Sequence, residues 1–549
     1  MEASVAEVLE RGAEHDSTAV LAAETGERIA LRDLLAQGQR VAAVLAERGV
    51  REGDRVGLIV ENDFGLFTAL FGIIYAGAVA VPLAPISALG GTQAYLAHLR
   101  SVVTDAKMRH ITGSGRVLRL LRRIAGDQAI GVDPLAVDGL PDSDSRMANP
   151  AAGSSLAVIQ YTSGSTSSPR GVMLTHRNIV AGIYAIQDGC SAAASDALGL
   201  WIPLFHDMGL FSALSCLGRG GCVVLWRPST FIRKPGLWLK QFSALGCTLL
   251  AAPNFCFDYL VAERSRAPEG LDFSRWRLAF NGAEPIDLST LEQFQQAFGE
   301  CGFRPEAMFP VYGLAEATLA VTFPELGRVP RALWVDRNRL TATGYAEPAR
   351  RGSAEARPLV SVGRSVPGMS VRISGPDAGE GFVGEIEIAG PSVTAGYYGR
   401  PAADLFARDG WLRTGDLGFF RQGEMYITGR IKDVIKIRGA NYFAEDAETI
   451  VRELPGVYRK RCAAVRVSGG GSEALAIVAE TNATSPDDRH SLTRLIRSEV
   501  SAGLGLADVA VHLVSPRALP QTSSGKIQRA RVRATLYAGR LPQYTESGR

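Results

Sequence analysis

The sequence predicts an α/β protein with a large N-terminal lobe, residues 1–430, in which helices are layered on parallel-rich sheets, and a small, mobile α+β C-terminal lobe, residues 431–549. Three observations support this. Apolar strand-like runs alternate with amphipathic helical stretches over most of the chain, as βαβ units around parallel sheets require. After about Gly429 the pattern changes to short strands, Val434 to Ile437 and Ala474 to Val478, with helices beginning near Ala444 and Ser491. A unit of roughly 120 residues accounts for that change. The 549 residues also exceed the single-domain prior of roughly 150 several-fold.

Taken in order, Arg55 to Val60 reads as a strand leading into a helix. Leu66 to Leu83 is the one membrane-like window, but Gly72, Gly77 and Pro82 interrupt it. It reads as a buried helix ending near Gly77, followed by the strand Ala78 to Val81, so no membrane span is expected. Pro141 to Ser155 is a polar loop before the strand Leu156 to Gln160. Cys222 to Trp226 and Cys247 to Ala252 are further strands. Arg337 to Pro358 is polar, basic and rich in Ala and Gly, and reads as an exposed insertion. Arg430 to Asp433 is a charged stretch suited to a hinge, and Ser468 to Ser472 is a Gly-rich turn between two strands.

Composition narrows the function classes. Basic and acidic residues number 59 and 56, a net +3, too balanced for nucleic acid or an anionic membrane to be the main partner. The 60 glycines, about 11% against a usual value near 7%, suggest loops where backbone approaches a ligand. Seven cysteines, with no CxxC pair and no zinc spacing, fit a reduced, cytoplasmic setting. The first residues carry acids where a secretory signal would be basic.

The strongest local signal is Gln160 to Gly171, directly after an apolar strand. Thr162, Ser163, Gly164, Ser165 and Thr166 offer hydroxyls and unobstructed N–H groups to phosphate oxygens. Its glycines are misspaced for a Walker A loop, and no lysine follows. Composition alone would equally allow a Ser/Gly linker; the flanking strand and the continuation Arg170 to His176 weigh against one.

This loop resembles the phosphate-binding signature of the adenylate-forming superfamily of acyl-CoA synthetases, peptide-synthetase adenylation domains and luciferases. Further matches follow in family order. Tyr312-Gly313-Leu314-Ala315-Glu316 is similar to the adenine and magnesium motif, and Trp411 to Asp416 to the ribose motif. Gly429 to Asp433 resembles the hinge, and Pro520 to Lys526 the C-terminal lysine motif. Within the superfamily, Trp201 to Leu210, Ala252 to Phe257, Trp276 to Ile286, Gly313 to Leu319 and Thr522 to Arg529 resemble fatty acyl-AMP ligases more than CoA ligases. The stretch from 337 to 358 lies where those ligases carry a segment resembling a brake on lobe movement.

The resemblance implies ATP and Mg2+ as cofactors, a fatty or related carboxylic acid as substrate and an acyl carrier protein as partner. Lys526 would bridge carboxylate and α-phosphate. Asp416 and Arg430 would hold the ribose, while Tyr312 and Gly313, with the wall Gly282-Ala283-Glu284, would hold adenine. Glu316 would ligate magnesium. His206 would stand at the mouth of an acyl pocket that Phe205, Phe211, Phe255 and Phe257 could line. Lys432 would be the pivot, and Lys436, Gly439 and Asn441 could face an incoming pantetheine. Two departures stand out: Arg170 where lysine is usual, and Ala444 where the family usually has proline. Alternatives are a CoA ligase, an amide- or ester-forming ligase, and a non-catalytic acyl or nucleotide sensor.

Overall fold

The computed structural model describes residues 4–59, 61–86, 91–126, 130–140, 152–162, 169–266, 269–353, 355–375, 379–437, 440–469, 472–506, 508–521 and 526–541. Two parallel-rich sheets dominate the first 310 residues. One runs Asp133–Ala136, His110–Gly113, Arg55–Leu58, Val79–Pro82, Leu156–Thr162, Arg170–Thr175, with only the last pair antiparallel. The other runs Met308–Pro310, Leu278–Asn281, Leu249–Ala252, Ala197–Leu200, Cys222–Leu225, Ala19–Ala22, Arg28–Ala30, again antiparallel only at its final edge. Central strands such as Leu249–Ala252 are buried at every position, which is why they read as continuous apolar runs rather than alternating ones.

The membrane-like window resolves as expected. Phe64–Tyr75 is a helix buried nearly all round, and Val79–Pro82 a strand buried throughout. No helix among the described residues is long and apolar enough to cross a membrane. Beyond the strand pairs, Trp226, Trp238, Phe242, Trp276, Phe294 and Phe303 interlock through tilted or edge-on contacts, with ring centroids 4.5 to 5.9 Å apart at the pairs Trp226–Trp238, Trp238–Phe242, Phe242–Trp276, Trp276–Phe294 and Trp276–Phe303. Such pairs add packing energy beyond area burial.

An antiparallel four-stranded sheet, Ser370–Ser374, Gly384–Ala389, Leu412–Arg421, Glu424–Arg430, carries the chain to a 3-10 turn at Ile431–Asp433. Beyond that turn, the hairpin Val434–Ile437/Ala440–Phe443 and the sheet Val457–Gly469, Ser472–Thr481, Val509–Val514 enclose two apolar clusters of their own. The helix expected near Ser491 begins at Pro486, because Ser485 caps it by accepting from the Asp488 N–H and proline suits its first turn. Ala444 is the first residue of the helix Ala444–Arg452. A proline is tolerated at that position, so the substitution leaves the local path unchanged.

The stretch from Arg337 to Pro358 departs from the exposed insertion that composition suggests. The strands Ala332–Asp336 and Ala356–Val360 pair antiparallel around the helix Arg337–Thr343. Val335, Leu340 and Leu359 share a core with Phe419, Tyr426 and Phe443. Arg357 is buried, with Nε 2.6 Å from Asp446 Oδ1, Nη2 donating to the Thr428 carbonyl at 3.0 Å, and its guanidinium over the Phe443 ring. Arg337 Nη1 donates to the Gly503 carbonyl at 2.7 Å. Two of the basic residues that suggested solvent exposure, Arg337 and Arg357, are the anchors, whereas Arg339, Arg350 and Arg351 are exposed. Arg357→Met leaves the buried Asp446 carboxylate uncompensated and should lower the unfolding free energy by about 3–5 kcal/mol. In the same denaturation titration, Arg350→Met, at an exposed position of this segment, should change it by less than about 0.5 kcal/mol.

Candidate active site

A cavity of about 1780 Å³ lies at the C-terminal ends of the parallel strands and beneath the residues beyond 431. Open α/β sheets place ligands there. It has two ends. Tyr312, Asp416, Arg430, Glu284, Glu316 and Lys526 line one; Trp201, Phe205, Phe255, Leu249, Phe280 and Phe323 line the other, with His206 also in the wall.

Strand pairing fixes the first end. Asp416 and Arg430 face each other on paired strands, and Arg430 Nε lies 2.8 Å from Asp416 Oδ1. The other carboxylate oxygen accepts from Tyr312 Oη at 2.7 Å. Asp416 is buried, and its charge helps raise the Arg430 guanidinium above its ordinary range. Burial, and then the Asp416 charge, hold the Tyr312 phenol far above its own. The ring of Tyr312 is thus fixed by its hydroxyl, with Gly313 beside it.

Ala283 has φ of 66°, a left-handed conformation costly for a residue with a Cβ. Behind it a Cβ on Gly282 would press on Val311. The wall Gly282-Ala283-Glu284 is therefore thin and strained at the edge of the cavity. The Phe255 N–H donates to Glu284 Oε1 at 2.6 Å, yet burial outweighs that bond and pushes the carboxyl up to about 7.

Glu316 is held by two residues distant in sequence. Tyr397 Oη donates to its Oε1 at 2.6 Å, and the Thr394 N–H to its backbone carbonyl at 2.8 Å. Thr318, at φ 67° and fully buried, closes the same turn by donating to the Ser392 carbonyl at 2.9 Å. Burial raises the Glu316 carboxyl.

At the junction of the two ends stand His206, Asp207 and Lys526. Gln160 Nε2 donates to the Phe205 carbonyl at 2.8 Å, which ties this loop to the first sheet. Burial, aided by the Lys526 charge, pushes the His206 imidazole down to about 3, so it is neutral near pH 7. Burial also lowers Lys526, against the opposing pull of Asp207, Glu284 and Asp416.

The structure therefore brings together Thr162, His206, Ala283, Glu284, Tyr312, Gly313, Glu316, Asp416, Arg430, Lys432 and Lys526 around one cavity. Gly282, the buried member of the wall, does not itself line the cavity. Lys436 and Asn441 pair with each other on the hairpin, exposed and away from the cavity. Ser163, Gly164, Ser165, Thr166 and Gly439 lie outside the described residues. Phe205 and Phe255 line the apolar end, whereas Phe211 and Phe257 are fully buried core. Arg170 places its guanidinium over the Tyr397 ring, 5.5 Å from the centroid. Sequence reasoning assigned no role to Asp207, Gln160, Tyr397 or Thr394. Asp207 carried a signal, since it adjoins His206.

The model of a known family, the AMP-binding enzymes, matches residues 9–398. The chain belongs to the AMP-binding enzyme family. It is 34% identical over 535 residues to the medium-chain-fatty-acid–[acyl-carrier-protein] ligase JamA of Moorena producens strain JHB, covering 92% of this chain and 89% of JamA. It is 33% identical over 512 residues, 91% of this chain and 89% of the relative, to a Caulobacter vibrioides protein named as an acyl-CoA synthetase. A solved structure from work on fatty acyl-adenylate ligases of E. coli and L. pneumophila superposes with a TM-score of 0.89 at 30% identity, covering 98% of this chain and 99% of the other. Within the AMP-binding enzymes this chain stands with the fatty acyl-AMP ligases, and it has the adenylate-forming fold.

The Glu284 shift has a thermodynamic consequence for this AMP-binding enzyme. A carboxyl at 4.5 when unfolded and about 7 when folded binds more protons in the native state between those values, so stability is full below about pH 4.5 and lost as pH rises through about 7. Glu284→Gln should flatten that part of the stability curve, as read by urea titrations at half-unit pH steps.

Proposed function

We propose that this enzyme joins a fatty or related carboxylic acid to AMP at the expense of ATP, releasing pyrophosphate, and then passes the acyl group to the phosphopantetheine thiol of an acyl carrier protein. The reading is carried by the placement of Lys526 in the same cavity as the Tyr312–Asp416–Arg430 cluster and as an apolar end that begins at His206.

In the first half-reaction a carboxylate oxygen attacks the α-phosphorus. The new P–O bond forms as the bond from that phosphorus to the bridging oxygen breaks, and pyrophosphate leaves. Two anions must approach in line, so the site has to neutralise charge and fix geometry. Lys526 takes the bridging position between carboxylate and α-phosphate; the charge of the arriving anions favours its ammonium form. Asp416 accepts from the ribose hydroxyls, with Arg430 donating beside it. Tyr312 offers its ring face to adenine along the Gly282-Ala283-Glu284 wall. Thr162 lines the cavity immediately before Ser163 to Thr166, whose hydroxyls and N–H groups are assigned to the phosphates. His206, neutral, hydrogen-bonds the substrate carboxyl without adding charge.

Among the described residues no three His, Cys, Asp or Glu side chains form a metal cage, but Glu316 offers a cavity-lining carboxylate fixed on one side by Tyr397. One carboxylate beside phosphates and waters is a donor set that Mg2+ accepts. When bound, the ion supplies charge neutralisation along the triphosphate.

In the second half-reaction the thiol sulfur attacks the acyl carbonyl, its proton passes to solvent, and AMP departs. Lys432, in the 3-10 turn at Ile431–Asp433, is the pivot for lobe rotation, and Lys436, Gly439 and Asn441 are assigned to the pantetheine arm afterwards. The name of the Caulobacter vibrioides relative favours CoA as a second acceptor reading.

Pyrophosphate release with MgATP and acids of graded length tests the first step. Lys526→Ala should lower its kcat by at least about a hundredfold, and turnover that survives the change would exclude the mechanism. Thioester formation should be seen with a holo carrier protein and not with CoA; the reverse outcome would assign the enzyme to the CoA ligases.

A further inference from the structure

The strand Val457–Gly469 shifts register against Ser472–Thr481 between Val457 and Cys462. Within that bulge Arg459 and Lys460 both have positive φ, 47° and 56°. Neither is a glycine, asparagine or aspartate, so two adjacent left-handed residues persist only because the surroundings hold them, and such strain concentrates at functional positions.

The bulge turns two cations onto the large-lobe helix Asn254–Glu263. The Arg459 guanidinium lies over the Tyr259 ring, 5.1 Å from its centroid. Lys460 Nζ lies 3.6 Å from Asp258 Oδ1 and 3.2 Å from Glu453 Oε1. Asp258 is fixed in turn by Thr290 Oγ1, which donates to it at 2.9 Å. The same helix carries Phe255, whose N–H holds Glu284, and it lines the cavity through Asn254, Phe255, Asp258 and Tyr259. Beside the bulge, Arg452 reaches Asp287 at 3.1 Å and Glu448 at 3.2 Å. Glu448 accepts from Arg529 at 2.7 and 2.8 Å, three residues beyond Lys526. Two sets of ion pairs, Asp258–Lys460–Glu453 and Asp287–Arg452–Glu448–Arg529, meet at the adjacent residues Arg452 and Glu453 and thus link the acyl-side helix of the large lobe to the segment that carries Lys526.

We propose that the Arg459–Lys460 bulge is a positioning clamp, which grips the helix Asn254–Glu263 and so holds Lys526 over the α-phosphate during adenylation but not during acyl transfer. The inference rests on the two-step reading above. Arg459 and Lys460 touch no reacting atom; they act through the helix and through Lys526. Rotation about Lys432 for the second half-reaction would part Arg459 from Tyr259 and Lys460 from Asp258, so that step should not depend on them.

The full-length enzyme is assayed for each half-reaction separately: pyrophosphate release from dodecanoate and MgATP, and transfer from preformed dodecanoyl adenylate to a holo acyl carrier protein. Lys460→Met should lower kcat of the first by about tenfold, with KM for ATP changed less, because a remote misplacement acts on the reacting geometry. Transfer should stay at the wild-type rate, and Lys460→Arg should recover most of the loss. Arg459→Met removes the other cation of the bulge, the one over the Tyr259 ring, and should give the same split if Lys460→Met folds poorly. Equal loss in both half-reactions, or no loss while Lys526→Ala abolishes the first, overturns the clamp. Full adenylation by Lys526→Ala would instead sink the two-step reading. If the wild type itself fails to transfer, the acceptor assignment falls and the pyrophosphate assay alone decides the clamp.

Discussion

The site turns on one amino group, that of Lys526, held between desolvation and three carboxylates. Burial lowers Lys526, and Asp207, Glu284 and Asp416 pull the other way. Those three come from separate segments of the large lobe, so the lysine meets them only where the two lobes are packed together. Desolvation makes its charge expensive in isolation and strongly attracted to anions once they arrive. Under the proposed function, that one balance ties nucleotide binding, lobe contact and charge neutralisation together.

The residues around it are fixed by a second rule, that buried polar atoms need partners. Asp416 has both oxygens engaged, by Arg430 and Tyr312, and Glu316 has Tyr397. Such groups enter the reaction already oriented, which spares reorganisation when a substrate binds. In the stretch from 337 to 358, Arg357 and Arg337 are tied to Asp446 and the Gly503 carbonyl, so those two arginines mark attachment rather than exposure.

Much of this was legible in the chain. The alternation of apolar strands and helices predicted the parallel sheets, and the change after Gly429 matched the appearance of separate apolar clusters beyond the turn at Ile431–Asp433. Short motifs picked out Asp416, Arg430, Tyr312, Glu316 and Lys526, which line one cavity. Contacts between distant segments were not legible. Tyr397 and Glu316 are separated by 81 positions and Arg452 and Asp287 by 165, and no local periodicity reports such pairs. Composition misled at 337–358, since a basic segment paired across an interface reads like one bathed in solvent. The aromatic residues divided for a related reason: one face of a helix meets the cavity and the other the core, so Phe255 and Phe257, two residues apart on the same helix, have different fates.

A single chamber encloses both the nucleotide end and the apolar end. The mixed anhydride born at their junction therefore has no private compartment in which to wait. Under the proposed function, wasteful AMP production in the absence of an acceptor therefore reports how well this cavity keeps water from the adenylate.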